Sequence, residues 1–374
     1  MSTTYLGETT ARGKVRRFGL KSADRALHMY AVGMTGVGKT TLLQGVFAND
    51  VERGEGGIFI DAHGDAAEEL RDALPSVRYL DANDPVWSLN PLTDADPATV
   101  AGLVSVFRHL FDEDWGPRLE HLLRNALFLA GASPKGTLAT CSRLLVDRGL
   151  QRECLVHVTN PEVRSFWENE FEGYSGRFRA VVVAPLQNKL GALLTDPRLA
   201  AILSGAGESV DLPQAMEEGT SLIVNLRKGE IGEVGASLLG SLLIAEVVRH
   251  GLARSGDRRP FHVIVDECQS FVTTSVVTAL SELRKYGVSF FLANQYLDQL
   301  RPEIRTAVLG NAGTLIVFRV GVRDAVRLAP ELQSKLDADD LVRLPNHHFC
   351  VRLMIDGQPS QGFSGRTVRV PRAA

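Results

Sequence analysis

Short, unbroken apolar runs alternate with stretches of helical spacing at both ends of the chain. His28–Val32, Gly57–Asp61, Val77–Asp81, Thr220–Leu226, Phe261–Glu267, Val288–Ala293 and Thr314–Val320 read as strands covered on both faces. Thr41–Phe47, Ala66–Leu74, Gly235–Arg254, Thr274–Tyr286, Asp298–Leu309 and Arg323–Glu331 read as the helices between them. This alternation predicts an α/β core with a mainly parallel sheet. From Ala98 to Leu203 no strand pattern emerges, and Leu119–Ala130, Thr137–Val146, Pro161–Phe171 and Arg179–Leu194 are the clearest helices. The expected organisation is therefore a core in two parts, 1–97 and 204–374, with a helical insertion at 98–203. Phe349–Ile355, followed by Asp356-Gly357, predicts a C-terminal β-hairpin. Residues 1–27 are polar, with a basic cluster at Lys14, Arg16 and Arg17, and read as a solvated lead-in.

Composition narrows the class without choosing a function. The chain has 374 residues, 44% hydrophobic and 23% charged, enough apolar material for a full core. A net charge of −3 gives no overall attraction to nucleic acid, so any DNA contact must come from a local patch or a ring of subunits. The four cysteines (Cys141, Cys154, Cys268 and Cys350) form no C-x-x-C pair, which argues for reduced thiols over a zinc site or disulfide frame. No stretch is expected to reach membrane-span length, and the first residues lack a signal peptide's apolar run. The expectation is a cytoplasmic protein with no direct membrane span, peripheral at the inner membrane only through partners.

The chemistry starts at Gly33-Met34-Thr35-Gly36-Val37-Gly38-Lys39-Thr40, which fits the phosphate-loop (Walker A) pattern G-x-x-x-x-G-K-[ST] between a strand and a helix. Its glycines allow positive φ, so backbone N–H groups can converge on an anion, and the helix starting near Thr41 points its first amides the same way. Gly33, Thr35, Gly36, Val37, Gly38, Lys39, Thr40 and Thr41 are the nucleotide-binding candidates. Lys39, expected to be exposed in the loop, would reach the β- and γ-phosphates of ATP, and Thr40 would hold Mg²⁺. Asp266, ending a buried strand, is the partner acid for Mg²⁺ (Walker B), and Glu267 beside it is placed to deprotonate the attacking water. Gln295, ending the next strand, is a candidate γ-phosphate sensor. Asp61, His63 and Asp65 lie where ligands gather in such sheets, at a strand's carboxyl end. Cys268 and the aromatic pair Phe166-Trp167 read as packing residues. Asn188-Lys189-Leu190-Gly191 resembles the guanine-specifying N-K-x-D pattern but lacks its aspartate, which disfavours a GTPase.

Several segments together resemble a known family: Ile60-Asp61-Ala62-His63-Gly64-Asp65, Asn90-Pro91-Leu92, Val265-Asp266-Glu267-Cys268-Gln269-Ser270-Phe271, Arg284-Lys285-Tyr286-Gly287, Ala293-Asn294-Gln295-Tyr296 and Phe318-Arg319-Val320-Gly321. They are similar to the type IV secretion coupling-protein ATPases of conjugative DNA transfer, within the HerA- and FtsK-like motors. The resemblance runs from about residue 28 onward. It implies a RecA-like P-loop core of the ASCE type and a homo-oligomeric ring, a hexamer, with ATP between subunits and DNA in a central channel. It also implies an arginine finger on the helix after the acid pair, supplied to the neighbour's nucleotide; Arg284 occupies that place, with Arg319 as the fallback. The transmembrane helices usual in coupling proteins and the small β-barrel that opens HerA helicases have no counterpart expected here.

The combined reading is a ring-forming, Mg²⁺-dependent ATPase that translocates DNA. Its alternative is an ATP-switched oligomeric scaffold that recruits a nuclease or secretion partner without pumping. For the DNA contact the candidate is the loop Arg227-Lys228-Gly229-Glu230, expected to protrude and repeat its two cations around a channel.

Overall fold

The computed structural model describes residues 3–9 and 14–368. It divides into two compact units, one built from Met1–Leu80, Asp211–Leu226 and His250–Ala374, the other from Asp81–Val210 and Arg227–Arg249.

The chain opens with β1 (Thr3–Thr9), β2 (Arg16–Lys21) and the short α1 (Ser22–Arg25). β3 (His28–Val32), α2 (Lys39–Glu52), β4 (Gly56–Asp61), α3 (Asp65–Ala73) and β5 (Arg78–Asp81) follow in strict alternation. The described part of the lead-in is thus a strand pair and not a solvated arm. β1 pairs antiparallel with β2 and with the last strand of the chain, burying Leu6 and Leu20 in the core. Lys14, Arg16 and Arg17 are exposed on this outer margin, where charged side chains discourage edge-to-edge pairing.

The second unit holds β6 (Trp87–Ser88), α4 (Pro97–Leu110), α5 (Pro117–Ala132), α6 (Leu138–Leu144), α7 (Arg148–Leu155), α8 (Pro161–Ser165), α9 (Gly176–Leu194), α10 (Pro197–Leu203) and β7 (Glu208–Ser209). The local sequence explains where these helices start. Asp96, Asn160 and Asp196 each cap a helix through their side chains and are followed by proline at the first helical position. Phe166–Phe171 continues α8 as a π-helical turn in which Phe166, Trp167 and Phe171 are buried. The Trp167 indole N–H donates to the Asn125 carbonyl at 3.3 Å, so these rings pack and are not presented for base stacking.

Then come α11 (Leu212–Glu218), β8 (Ser221–Asn225), α12 (Lys228–Ile231) and α13 (Glu233–Ala253). The segment expected as a protruding loop is the helical turn α12. Arg227 Nε lies 2.9 Å from Asp81 Oδ2 and Lys228 Nζ 3.2 Å from Glu233 Oε1, so both cations already face acids. α13 corrects a second expectation. At 21 residues, with an 18-residue stretch of mean hydropathy 1.3, it is long and apolar enough to cross a membrane by length and composition, and 61% of that stretch is buried. Leu238, Leu239, Leu242, Leu243, Ile244 and Val247 are all buried, as in a helix apolar on most sides.

The remainder is β9 (Phe261–Val265), α14 (Thr274–Leu283), β10 (Val288–Asn294), α15 (Pro302–Asn311), β11 (Ala312–Val317), α16 (Val322–Glu331), α17 (Ala338–Val342), β12 (His348–Arg352), β13 (Met354–Ile355), β14 (Gln358–Pro359) and β15 (Phe363–Arg366). One eleven-stranded sheet runs β2-β1-β15-β12-β11-β3-β10-β9-β4-β8-β5. β11, β3, β10, β9, β4 and β8 pair in parallel, while β12, β15, β1 and β2 extend the β11 side antiparallel. The predicted hairpin forms at β13–β14, turning on Asp356 and Gly357 with φ of 51° and 79°. Phe349–Ile355 is not one strand, however; β12 stays in the main sheet and only Met354 and Ile355 enter the hairpin.

Candidate nucleotide site

Residues 33–38 leave β3 at its carboxyl end and enter α2 directly. Gly36 and Gly38 carry φ of 75° and 103°, which a side-chain-bearing residue adopts only under strain. The loop is tied to the strands on either side of β3. Gly33 N–H donates to Asn294 O at 3.3 Å and Met34 N–H to Arg319 O at 2.9 Å. Lys39 is the first residue of α2 and is only 6% exposed, so the expectation of an exposed lysine is overturned. Its Nζ donates to Gly33 O at 2.6 Å and to Met34 O at 3.0 Å, folding the chain over its own loop. Burial lowers the ammonium pKa, and the charges of Asp266 and Glu267 oppose that shift.

The two acids follow β9, two strands from the loop. Thr40 Oγ1 donates to Asp266 Oδ2 at 2.7 Å, and Glu267 N–H donates to Asp266 Oδ1 at 3.0 Å. Burial raises the Asp266 pKa, against the pull of the Thr40 hydrogen bond and the Lys39 charge. Glu267 adopts φ of 54°, a left-handed backbone that is uncommon outside glycine. Gln295 Nε2 donates to Glu267 Oε1 at 2.8 Å, and Gln269 Nε2 donates to Oε2. Lys39, Thr40, Asp266, Glu267 and Gln295, far apart in sequence, thus meet at one end of the sheet. Thr35 lines a neighbouring cavity of about 810 Å³ with Met34, Gln295, Tyr296, Arg319 and Arg323. Thr41 continues the first turn of α2.

Other candidates lie elsewhere. The Asp61 carboxylate accepts from His63 N–H at 2.9 Å and Ala67 N–H at 3.0 Å, so it serves the turn into α3. Arg284 is exposed in the turn after α14, next to the start of β10 and therefore at the amino ends of the strands, away from its own phosphate loop. The Arg319 guanidinium donates to Leu344 O at 3.2 Å and Asn346 Oδ1 at 2.8 Å. Cys268 is buried, and burial pushes its thiol pKa up, consistent with packing. Asp50, Glu55 and His262 bring three ligand atoms within 4.8 Å of one another. Their carboxylates already pair with arginine, Asp50 with Arg25 at 2.7 Å and Glu55 with Arg53, which makes this a charge-paired network.

Residues 260–331, which contain both acids and Gln295, match the family described as the TraM recognition site of TraD and TraG. No curated protein matches the chain in sequence. Among solved structures, the bacterial conjugative coupling protein TrwBΔN70 in its unbound form superposes with a TM-score of 0.68 at 14% identity, over 98% of this chain and 90% of that one. The plasmid coupling protein TrwB in complex with ADP and Mg²⁺ gives 0.68 at 14%, over 94% and 88%. VirB4 of Thermoanaerobacter pseudethanolicus gives 0.68 at 15%, over 99% and 97%. The family model covers residues 260–331, and the structural likenesses show that the chain shares the fold of the conjugative coupling protein and of VirB4. The fold expected from that family, a RecA-like P-loop core with a largely parallel sheet, is the fold observed.

Within this fold, two residues of the site carry no motif signal of their own. Gln269 lies inside the Val265–Phe271 segment with no role that spacing assigns, yet it holds the second oxygen of Glu267. His347 belongs to no recognisable motif. Its N–H donates to Val37 O at 2.7 Å, on the phosphate loop itself. No spacing rule connects residue 347 to a loop at residues 33–40.

Proposed function

We propose that the chain is a Mg²⁺-dependent ATPase of the coupling type that assembles as a ring, a hexamer, and uses hydrolysis to move DNA through a central channel. The observation that carries this reading is the hydrogen-bonded run from Thr40 through Asp266 to Glu267 and Gln295, beginning on a phosphate loop. Complexes of TrwB with ADP and Mg²⁺, and with a non-hydrolysable ATP analogue, support nucleotide and Mg²⁺ as its ligands. A TrwB complex with a GTP analogue leaves the choice of base to be measured.

The loop amides and Lys39 would take the phosphates, with Lys39 exchanging two backbone carbonyls for phosphate oxygens. Thr40 and Asp266 offer the hard oxygen donors that suit Mg²⁺. Bound there, Mg²⁺ would neutralise charge on the β- and γ-phosphates. Glu267, steadied by Gln269 and Gln295, takes the proton of the attacking water. Gln295 joins the γ-phosphate side to the base. Arg284 faces away from its own loop and suits a finger supplied to the next subunit, whereas Arg319 is engaged within its own chain. The second unit, or the surface of 260–331, would receive a secretion or nuclease partner. The setting is the cytoplasm or the inner face of the membrane.

The test is the ATP hydrolysis rate with and without DNA, alongside solution mass. DNA-stimulated turnover by an oligomer supports the motor. Turnover indifferent to DNA, with ATP-dependent assembly, would favour the switched scaffold.

A further inference from the structure

The phosphate loop is clasped by a strap from the far end of the chain, Leu344–His347, just before β12. Arg319 begins the connection: its carbonyl accepts Met34 N–H at 2.9 Å, and its guanidinium holds Leu344 O and Asn346 Oδ1. His347 completes it by donating its N–H to Val37 O at 2.7 Å. Its ring fills the space beside Gly38, where a Cβ would stand 2.6 Å from His347 Nδ1. His347 is itself in the left-handed region at φ 64°. Thr367 fixes it there, with its N–H donating to His347 O at 2.9 Å and its hydroxyl 3.3 Å from Nδ1.

We propose that His347 is a nucleotide-positioning residue, holding Val37 and Gly38 in the shape that receives the phosphates of a nucleoside di- or triphosphate. The inference rests on the nucleotide-binding reading above. The loop binds through converging backbone N–H groups, so affinity depends on its torsions being set before the ligand arrives. Gly38 caps α2 with no side-chain hydrogen bond of its own, which leaves the His347 ring and amide as external support at that end of the loop. Support at this point is shared by ADP and ATP, and it therefore governs binding more than the chemical step.

The experiment is calorimetric titration of the full chain with ADP-Mg²⁺ and ATP-Mg²⁺, with Lys39→Ala as the non-binding control. His347→Gly removes the ring while accepting positive φ, and His347→Asn tolerates that backbone and keeps a polar atom near Nδ1. His347→Gly is expected to weaken both nucleotides alike by about tenfold, the scale of one lost hydrogen-bonded support, with the loss falling on KM much more than on kcat. His347→Asn should recover most of it. Parental affinity in His347→Gly overturns the inference. If that variant melts early, Thr367→Val decides by the same titration: weaker binding supports the role and parental binding overturns it. Failure of the parent protein to bind either nucleotide overturns the ATPase reading, and this inference with it.

Discussion

Replacing Glu267 by glutamine tests the catalytic assignment most directly. The carboxylate accepts Gln295 Nε2 at Oε1 and Gln269 Nε2 at Oε2. A glutamine there keeps one acceptor oxygen and turns its own NH₂ toward the other donor. One charge-assisted hydrogen bond is lost, worth about 1.5–3 kcal/mol, which a domain of ordinary stability tolerates. The hydrogen bonds of Lys39 and of the Thr40–Asp266 pair are kept, and only the Glu267 charge near Lys39 is lost, so ATP-Mg²⁺ affinity should stay within about threefold of the parent, less than 1 kcal/mol. What disappears is the proton acceptor, and hydrolysis should slow by at least ~100-fold, or about 2.7 kcal/mol of barrier. Single-turnover hydrolysis at saturating ATP measures the loss, with calorimetry on the same samples to separate binding from chemistry. Turnover at the parental rate would refute the assignment. The base would then be sought at Asp65, exposed at the start of α3.

Three further outcomes are expected. Asp50→Asn leaves the buried Arg25 guanidinium without its carboxylate, and urea unfolding should register a loss of about 3–5 kcal/mol; a change below ~1 kcal/mol would mean the pair is dispensable. His28 is held neutral, with Nδ1 accepting Phe290 N–H at 3.0 Å and Nε2 2.6 Å from Leu280 O, and burial lowers its pKa below 6.5. Below that pH the unfolded chain binds the proton more readily, so stability should fall as pH drops from about 6.5 toward the folded-state pKa; an His28→Gln variant with the same pH slope would locate the effect elsewhere. Arg284→Ala should retain ATP binding and lose hydrolysis, and mixing it with Lys39→Ala should restore part of the activity, because each supplies the half-site that the other lacks. No recovery on mixing would argue against a finger in trans.

Much of the parallel core was legible because its strands are buried on both faces. β3, β9 and β10 are mostly apolar runs of five to seven residues, buried throughout, and each leads directly into a residue whose chemistry marks the site. The antiparallel extension was not. Thr3–Thr9 alternates polar and apolar with few residues on the buried face, and β15, which joins it to the rest of the sheet, lies at the other end of the chain, where pairing leaves no local signature. The Arg227–Glu230 segment was misread for a similar reason. Its glycine suggested an open loop, but Asp81, far away in sequence, captures Arg227 and lets the turn close as a helix. At the site, Lys39, Thr40, Asp266 and Glu267 were visible through motif spacing. Gln269 and His347 act by contact alone, and contact is what a single sequence conceals.

The helix α2 joins two places that cannot vary independently. Its first turn carries Lys39 and Thr40. Its last carries Asp50, bonded to Arg25 and to Thr4 Oγ1 of β1. Asp50 follows Lys39 by about three complete turns, so both ends present the same side of the helix. Inserting or deleting a single residue between them would swing one end by about 100° and strand either the lysine or the aspartate. The length of this helix is accordingly a fixed spacer. In descendants of this chain, insertions should accumulate in surface loops and stay out of the interval between Thr40 and Asp50.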